Sequence, residues 1–134
     1  MHKAYVLDSF ALLAHFEDEP GAERVRNLLK SARAEKTSLF LSVINFGELY
    51  YTTLRERGPK EAEEIRFIMA QLPIEIPDAD MELTLAAAKL KGRHSVACAD
   101  CFAAALGIRK QARVITGDPE FKKFGEAVDI EWLT

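Results

Sequence analysis

Cysteine is scarce in this chain: Cys98 and Cys101 are the two present in 134 residues, too few for a disulfide framework. They point to a reducing compartment, and a cytoplasmic location is the expectation. No run of about 18 apolar residues occurs, so no membrane span is expected. The opening MHKAYVLDSF lacks the apolar stretch of a signal peptide. There is no excess of positive charge either. Eighteen Lys+Arg stand against 21 Asp+Glu for a net charge of -3, which argues against a protein that simply coats nucleic acid. Neither GxGxxG nor the P-loop pattern appears, which disfavours a glycine-loop nucleotide site. No histidine accompanies a Ser or Cys in a recognisable acyl-transfer setting. Internal repeats, low-complexity stretches and linkers are missing as well.

What the chain does contain is the balance of a globular protein, 49% hydrophobic and 29% charged, with room for one domain over residues 1–134. Lys3 to Asp8 (KAYVLD) is a short apolar run ending in a carboxylate, which predicts a buried strand. Ser9 is placed to cap a helix through Ala11, Leu12, Leu13 and Phe16. Pro20-Gly21 breaks it and opens a second helix bearing Val25, Leu28 and Leu29 on one side. Thr37 to Leu41 predicts the next strand, and Ser42 caps a helix from Val43 to about Arg57. Gly58-Pro59 ends that helix and starts another with an acidic first turn. Ile74 to Ile76 predicts a third strand, and Asp78 to Lys91 a helix ending at Gly92. Ser95 would cap an alanine-rich helix through Leu106. Arg113 to Thr116 and Val128 to Leu133 predict the last strands. Strands separated by helices imply an α/β fold: three layers, α/β/α, around a mostly parallel sheet of four to five strands.

Sites in open parallel sheets form beyond the carboxyl ends of the strands. Asp8 and Asp118 fall at such ends. Glu48, within VINFGELYY, and Asp100, within ACADCFAAAL, are acids set among apolar or small neighbours. Taken singly, each acid reads as a helix cap or an ion-pair partner. Taken together, four converging carboxylates would repel or stay protonated unless a hard cation joined them. Mg²⁺ prefers oxygen ligands and commonly takes one or two carboxylates directly. Thr116 adds a hydroxyl able to bond a carboxylate or a metal-bound water.

The strings VLDSFALLAHF, INFGELYY, ADCFAAALG and VITGDPEF, in that order, resemble the signature of the PIN domain family from about Lys3 to Phe124. The pattern most resembles the VapC toxins of prokaryotic toxin–antitoxin pairs. The Cys98-Ala-Asp-Cys101 setting of the third acid departs from the commoner pattern without removing a site residue. The resemblance implies a Mg²⁺- or Mn²⁺-dependent ribonuclease. It makes Asp8, Glu48, Asp100 and Asp118 catalytic, with Asp8, Asp100 and Asp118 as metal ligands and Thr116 and Ser9 in support. It also implies an RNA substrate, a cognate antitoxin, a homodimer and no membrane partner.

The CxxC pair lacks two further zinc ligands and reads as small hydrophobes on a helix. Phe46 and Tyr50 read as core or dimer contacts before a base-stacking platform. Arg24, Arg26, Arg55, Arg57, Lys91 and Arg93 are either solvated charges or, in some subset, phosphate contacts. Leu12, Leu13, Phe16, Val25, Leu28 and Leu29 either pack on the sheet or leave part of a groove for an antitoxin helix. A phosphatase using Asp8 would want a second acid at position 10, where Phe10 stands. A phosphate-accepting receiver module would want an acidic pair after the first strand, where Asp8-Ser9 stands. A PIN-like RNA-processing nuclease without an antitoxin, and a catalytically silent binding module, remain the alternatives.

Overall fold

The computed structural model describes residues 2–133; Met1 and Thr134, the two ends of the domain expected over 1–134, lie outside the described residues. In order, the elements are β1 (Lys3–Leu7), α1 (Ser9–Phe16), α2 (Ala22–Arg33), β2 (Thr37–Phe40), α3 (Val43–Arg57) and α4 (Pro59–Met69). There follow α5 (Met81–Arg93), α6 (Cys98–Lys110), β3 (Arg113–Thr116), a 3-10 segment (Pro119–Ala127) and β4 (Ile130–Trp132). The four strands form one sheet in the order β2-β1-β3-β4, and every pairing is parallel. The α/β/α expectation holds.

Strand alternation builds two cores. Val6, Phe40 and Val114 face one side of the sheet and meet α5, α6, Phe121 and Phe124. Tyr5, Leu7, Leu39, Leu41 and Ile115 face the other and meet Leu12, Val25, Leu28 and Leu29. Each large side chain buried in this way contributes about 1.5–3 kcal/mol. Leu12, Val25, Leu28 and Leu29 are therefore core, and no partner groove is built from them. Leu13 and Phe16 alone of that set are partly exposed; they line a cleft with Thr53, Arg57, Ile65 and Ile68.

Several boundaries differ from the sequence expectation, each for a local reason. Ile74–Ile76 is not a strand. Flanked by Pro73 and Pro77, which offer no N–H, it makes a single parallel bridge between Phe40 and Glu75. Asp8, not Ser9, caps α1 by accepting from the Ala11 N–H at 2.8 Å. Asp80 caps α5, which starts at Met81 and runs through Gly92 to Arg93. Ser95 caps nothing: α6 begins after Ala97 with no side-chain cap. Ser42 does cap α3, its hydroxyl accepting from Ile44 N–H at 3.1 Å. Gly58 precedes Pro59 at φ 95°, a left-handed position that favours glycine. β2 stops at Phe40, and the last strand is confined to Ile130–Trp132. No described helix is long and apolar enough to cross a membrane.

Candidate active site

The carboxyl ends of β1 and β3, neighbours at the middle of the sheet, deliver Asp8 and Thr116 side by side. Asp8 is 1% exposed and Thr116 is fully buried. The Thr116 hydroxyl donates to Asp8 Oδ2 at 2.5 Å, while Ala11 N–H holds Oδ1. Thr116 Oγ1 in turn accepts from Asp118 N–H at 3.0 Å. Asp118 caps the 3-10 segment, its Oδ1 accepting from Glu120 N–H at 3.0 Å. Two of the acids are thus fixed by backbone N–H groups at the first turns of their helices, and a hydroxyl joins the two strand ends.

The other two acids arrive on helices. Asp100 sits in the first turn of α6, which packs on β1, β3 and α3. Glu48 lies on α3 and accepts a hydrogen bond from the Ser9 hydroxyl, tying α3 to the start of α1. Burial pushes the Asp8 carboxyl up to about 7; the Thr116 and Ala11 hydrogen bonds pull it down, and the charges of Asp100 and Asp118 push it further up. Asp100 is also pushed up to about 7, first by burial and then by Asp118, Glu48 and Glu120. Asp8, Ser9, Glu48, Asp100, Thr116 and Asp118 are therefore neighbours, although they span most of the chain.

No ion pair among the described residues offsets this charge. Among the described residues, the ion pairs of Arg24, Arg26 and Arg57 go to Glu131, Asp18, Glu17 and Glu61, and none reaches the four acids. An all-oxygen donor set with Asp8 and Asp100 buried, Glu48 and Asp118 half-buried, and no ion-pair partner fits a hard divalent cation. Among the described residues, no three His, Cys, Asp or Glu side chains stand together as a ready-made metal cage. That is compatible with Mg²⁺, which keeps several waters and needs only one or two direct carboxylates.

Four further residues on these elements carry no signal of their role in spacing alone. Glu120, two residues beyond Asp118, adds negative charge at Asp100; its place just after Asp-Pro in TGDPEF was the available signal. Asn45, one helical turn before Glu48, is fully buried with both amide atoms unpartnered. Phe10 and Gly117 are in contact: a Cβ on Gly117 would overlap the Phe10 ring edge, lying 2.9 Å from Cζ and 3.0 Å from Cδ1. By contrast, Phe46 packs partly into the core and the Tyr50 hydroxyl donates to Glu63. Cys101 is buried and Cys98 exposed, both as free thiols.

Comparison with known proteins gives this arrangement its family. The model of the PIN domain matches residues 5–127. The chain belongs to the PIN domain family. Solved structures share the fold from end to end. VapBC2 from Rickettsia felis, bound to a DNA fragment from their promoter, superposes with a TM-score of 0.78 at 19% identity, covering 98% of this chain and 99% of that one. DNA-bound VapBC from Salmonella typhimurium gives 0.73 at 18% identity, with 98% of each chain covered. VapC20 from Mycobacterium tuberculosis, a toxin that cleaves the sarcin–ricin loop, gives 0.70 at 17% identity over 90% of this chain and 95% of that one. No curated protein matches the chain in sequence. At these identities the structural likeness speaks for the PIN fold, and the chemistry has to be argued from the site.

Proposed function

We propose that this PIN domain, one domain over residues 1–134, is a VapC-type endoribonuclease. It hydrolyses RNA phosphodiester bonds in the cytoplasm, acts as a homodimer and is held silent by a cognate antitoxin. The single observation that carries the chemistry is the cluster of four carboxylates, Asp8 and Asp100 buried, that gathers beyond the carboxyl ends of β1 and β3 and, among the described residues, takes part in no ion pair. The neighbours known as VapBC assemblies and as a sarcin–ricin loop cleaving toxin support the partner and the substrate.

Asp8, Asp100 and Asp118 would hold Mg²⁺ or Mn²⁺ directly or through water, and the ion when bound would polarise a phosphoryl oxygen and lower the pKa of water. The residues of the chain do the rest. Thr116 holds Asp8 in a fixed rotamer through its hydroxyl and is itself held by the Asp118 N–H. Ser9 aims Glu48, leaving the second carboxylate oxygen of Glu48 to orient an attacking water and accept its proton. Attack in line on phosphorus requires no covalent bond to the protein.

The test is cleavage of matched single-stranded RNA and DNA in Mg²⁺ or Mn²⁺, with and without EDTA. RNA cut only in metal is expected, and silencing on co-expression with the antitoxin supports the toxin role. A chain that cuts neither nucleic acid overturns the nuclease. One that cuts RNA but has no inhibitory partner is an RNA-processing PIN nuclease instead.

A further inference from the structure

Phe10 is the one exposed side chain of α1, at 42% exposure, and it lies two residues beyond Asp8. Its ring rests on the backbone of Gly117, the residue between Thr116 and Asp118. Gly117 does not adopt a positive φ, so backbone conformation does not account for glycine here. A Cβ at position 117 would have to push the Phe10 ring off its present seat. The sequence thus keeps an aromatic ring pinned between two turns that carry site acids, with much of its surface open to solvent. Other exposed aromatic rings, such as Phe67, stand away from the site acids; Phe10 is set between the turns that carry Asp8 and Asp118.

We propose that Phe10 is the stacking platform for a nucleobase of the bound RNA, next to the scissile phosphate. The proposal rests on the ribonuclease reading and deepens it. An apolar, rigid surface at the lip of an acidic site offers nothing to a phosphate, but it matches the π-face that every base presents. Stacking there tolerates any sequence and fixes the strand's path relative to Asp8 and Asp118. Gly117 is then a positioning residue, since it supplies the floor on which the ring lies.

Binding of fluorescein-labelled oligoadenylate decamers, in Mg²⁺ and on the cleavage-blocked Asp100→Asn background, tests this by anisotropy. Phe10→Ala is expected to weaken binding about tenfold, the scale of one lost base–aromatic stack. Phe10→Leu should lose a similar amount, Phe10→Trp should restore affinity, and the new tryptophan should be quenched by RNA. Gly117→Ala should mimic Phe10→Ala by displacing the ring. An abasic ribose-phosphate decamer should bind all variants alike. With Asp100 intact, the Phe10→Ala loss should fall mainly on KM. Equal binding by Phe10→Leu and the parent, or an equal loss with the abasic chain, overturns stacking. A Phe10→Ala variant that cuts RNA normally but escapes the antitoxin assigns the ring to that partner and also overturns it. In both cases wild-type cleavage of RNA leaves the nuclease reading standing, whereas a wild type that neither binds nor cuts RNA removes both.

Discussion

Asp8 and Asp80 perform the same backbone task and end in opposite electrostatic states. Both have extended backbones, with ψ of 178° and 175°, and both accept the third N–H of the following helix at 2.8 Å. Asp80 stands in solvent, and Arg109 bonds it at 2.9 Å, which holds its carboxyl below the ordinary value. Asp8 is buried beside Asp100 and Asp118, and its carboxyl rises from 3.8 to about 7. A capping hydrogen bond therefore does not decide the charge of an aspartate; burial and neighbours do. One end of the sheet holds carboxylates that fold against their own charge, while the outer surface holds carboxylates that gain by it.

The sharpest way to break this contrast is to remove one member of the buried set. Asp100→Asn should reduce RNA cleavage to background and abolish the rise in melting temperature that Mg²⁺ or Mn²⁺ gives the wild type. It should at the same time make the metal-free protein more stable at pH 8, because one repelling charge is gone. A variant that melts earlier and still cuts RNA contradicts the site.

The pH dependence comes next in size. Between the ordinary aspartate value of 3.8 and about 7, folded Asp8 and Asp100 keep protons that the unfolded chain has lost. Stability without metal should therefore fall as pH rises across that window and level off above it. Urea titrations in EDTA at pH 5 and pH 8 measure the fall, and adding Mg²⁺ at pH 8 should reverse it. Asp80 behaves in the opposite sense: its contribution is present above pH 4 and disappears only as pH falls further.

Thr116→Val keeps the shape of the strand end but removes the donor to Asp8. Since that hydrogen bond pulls the Asp8 carboxyl down, its loss should move the acidic limb of the activity–pH profile upward. Activity should drop about 10- to 100-fold, as when an outer partner of a metal-binding carboxylate is lost. An unchanged profile would mean the hydroxyl does not act through Asp8.

Asp80→Asn, the smallest effect, keeps the cap and loses the exposed pair with Arg109. It should lower the melting temperature slightly and leave cleavage untouched, the reverse of Asp100→Asn on both readouts.

The contrast also explains what the sequence could reveal. Apolar runs ending in Asp8 and Thr116 are visible as strings, because buried parallel strands have no polar face to disguise them. Ser42 and Gly58-Pro59 announce helix ends through chemistry confined to neighbouring residues. The string DSF suggests chemistry for Asp8 and capping for Ser9; the structure gives the cap to Asp8 and leaves the Ser9 hydroxyl for Glu48, 39 residues away. Ile74–Ile76 has strand composition, but the prolines on either side allow one bridge only. Phe10 over Gly117, and the orphaned amide of Asn45, depend on where distant segments come to rest, and no spacing in the chain encodes that.

The hydrogen bond from Thr116 to Asp8 spans 108 positions of sequence. β1 is translated before both of its sheet partners, and the one that completes the acidic cluster is supplied only by β3. Closing so long a loop is slow, and it gains no contact until it is complete. A chain still emerging from the ribosome, with β3 not yet made, carries Asp8 without the Thr116 hydroxyl and Asp118 that complete the cluster. The order of synthesis itself delays assembly of the site until nearly the whole sheet has closed.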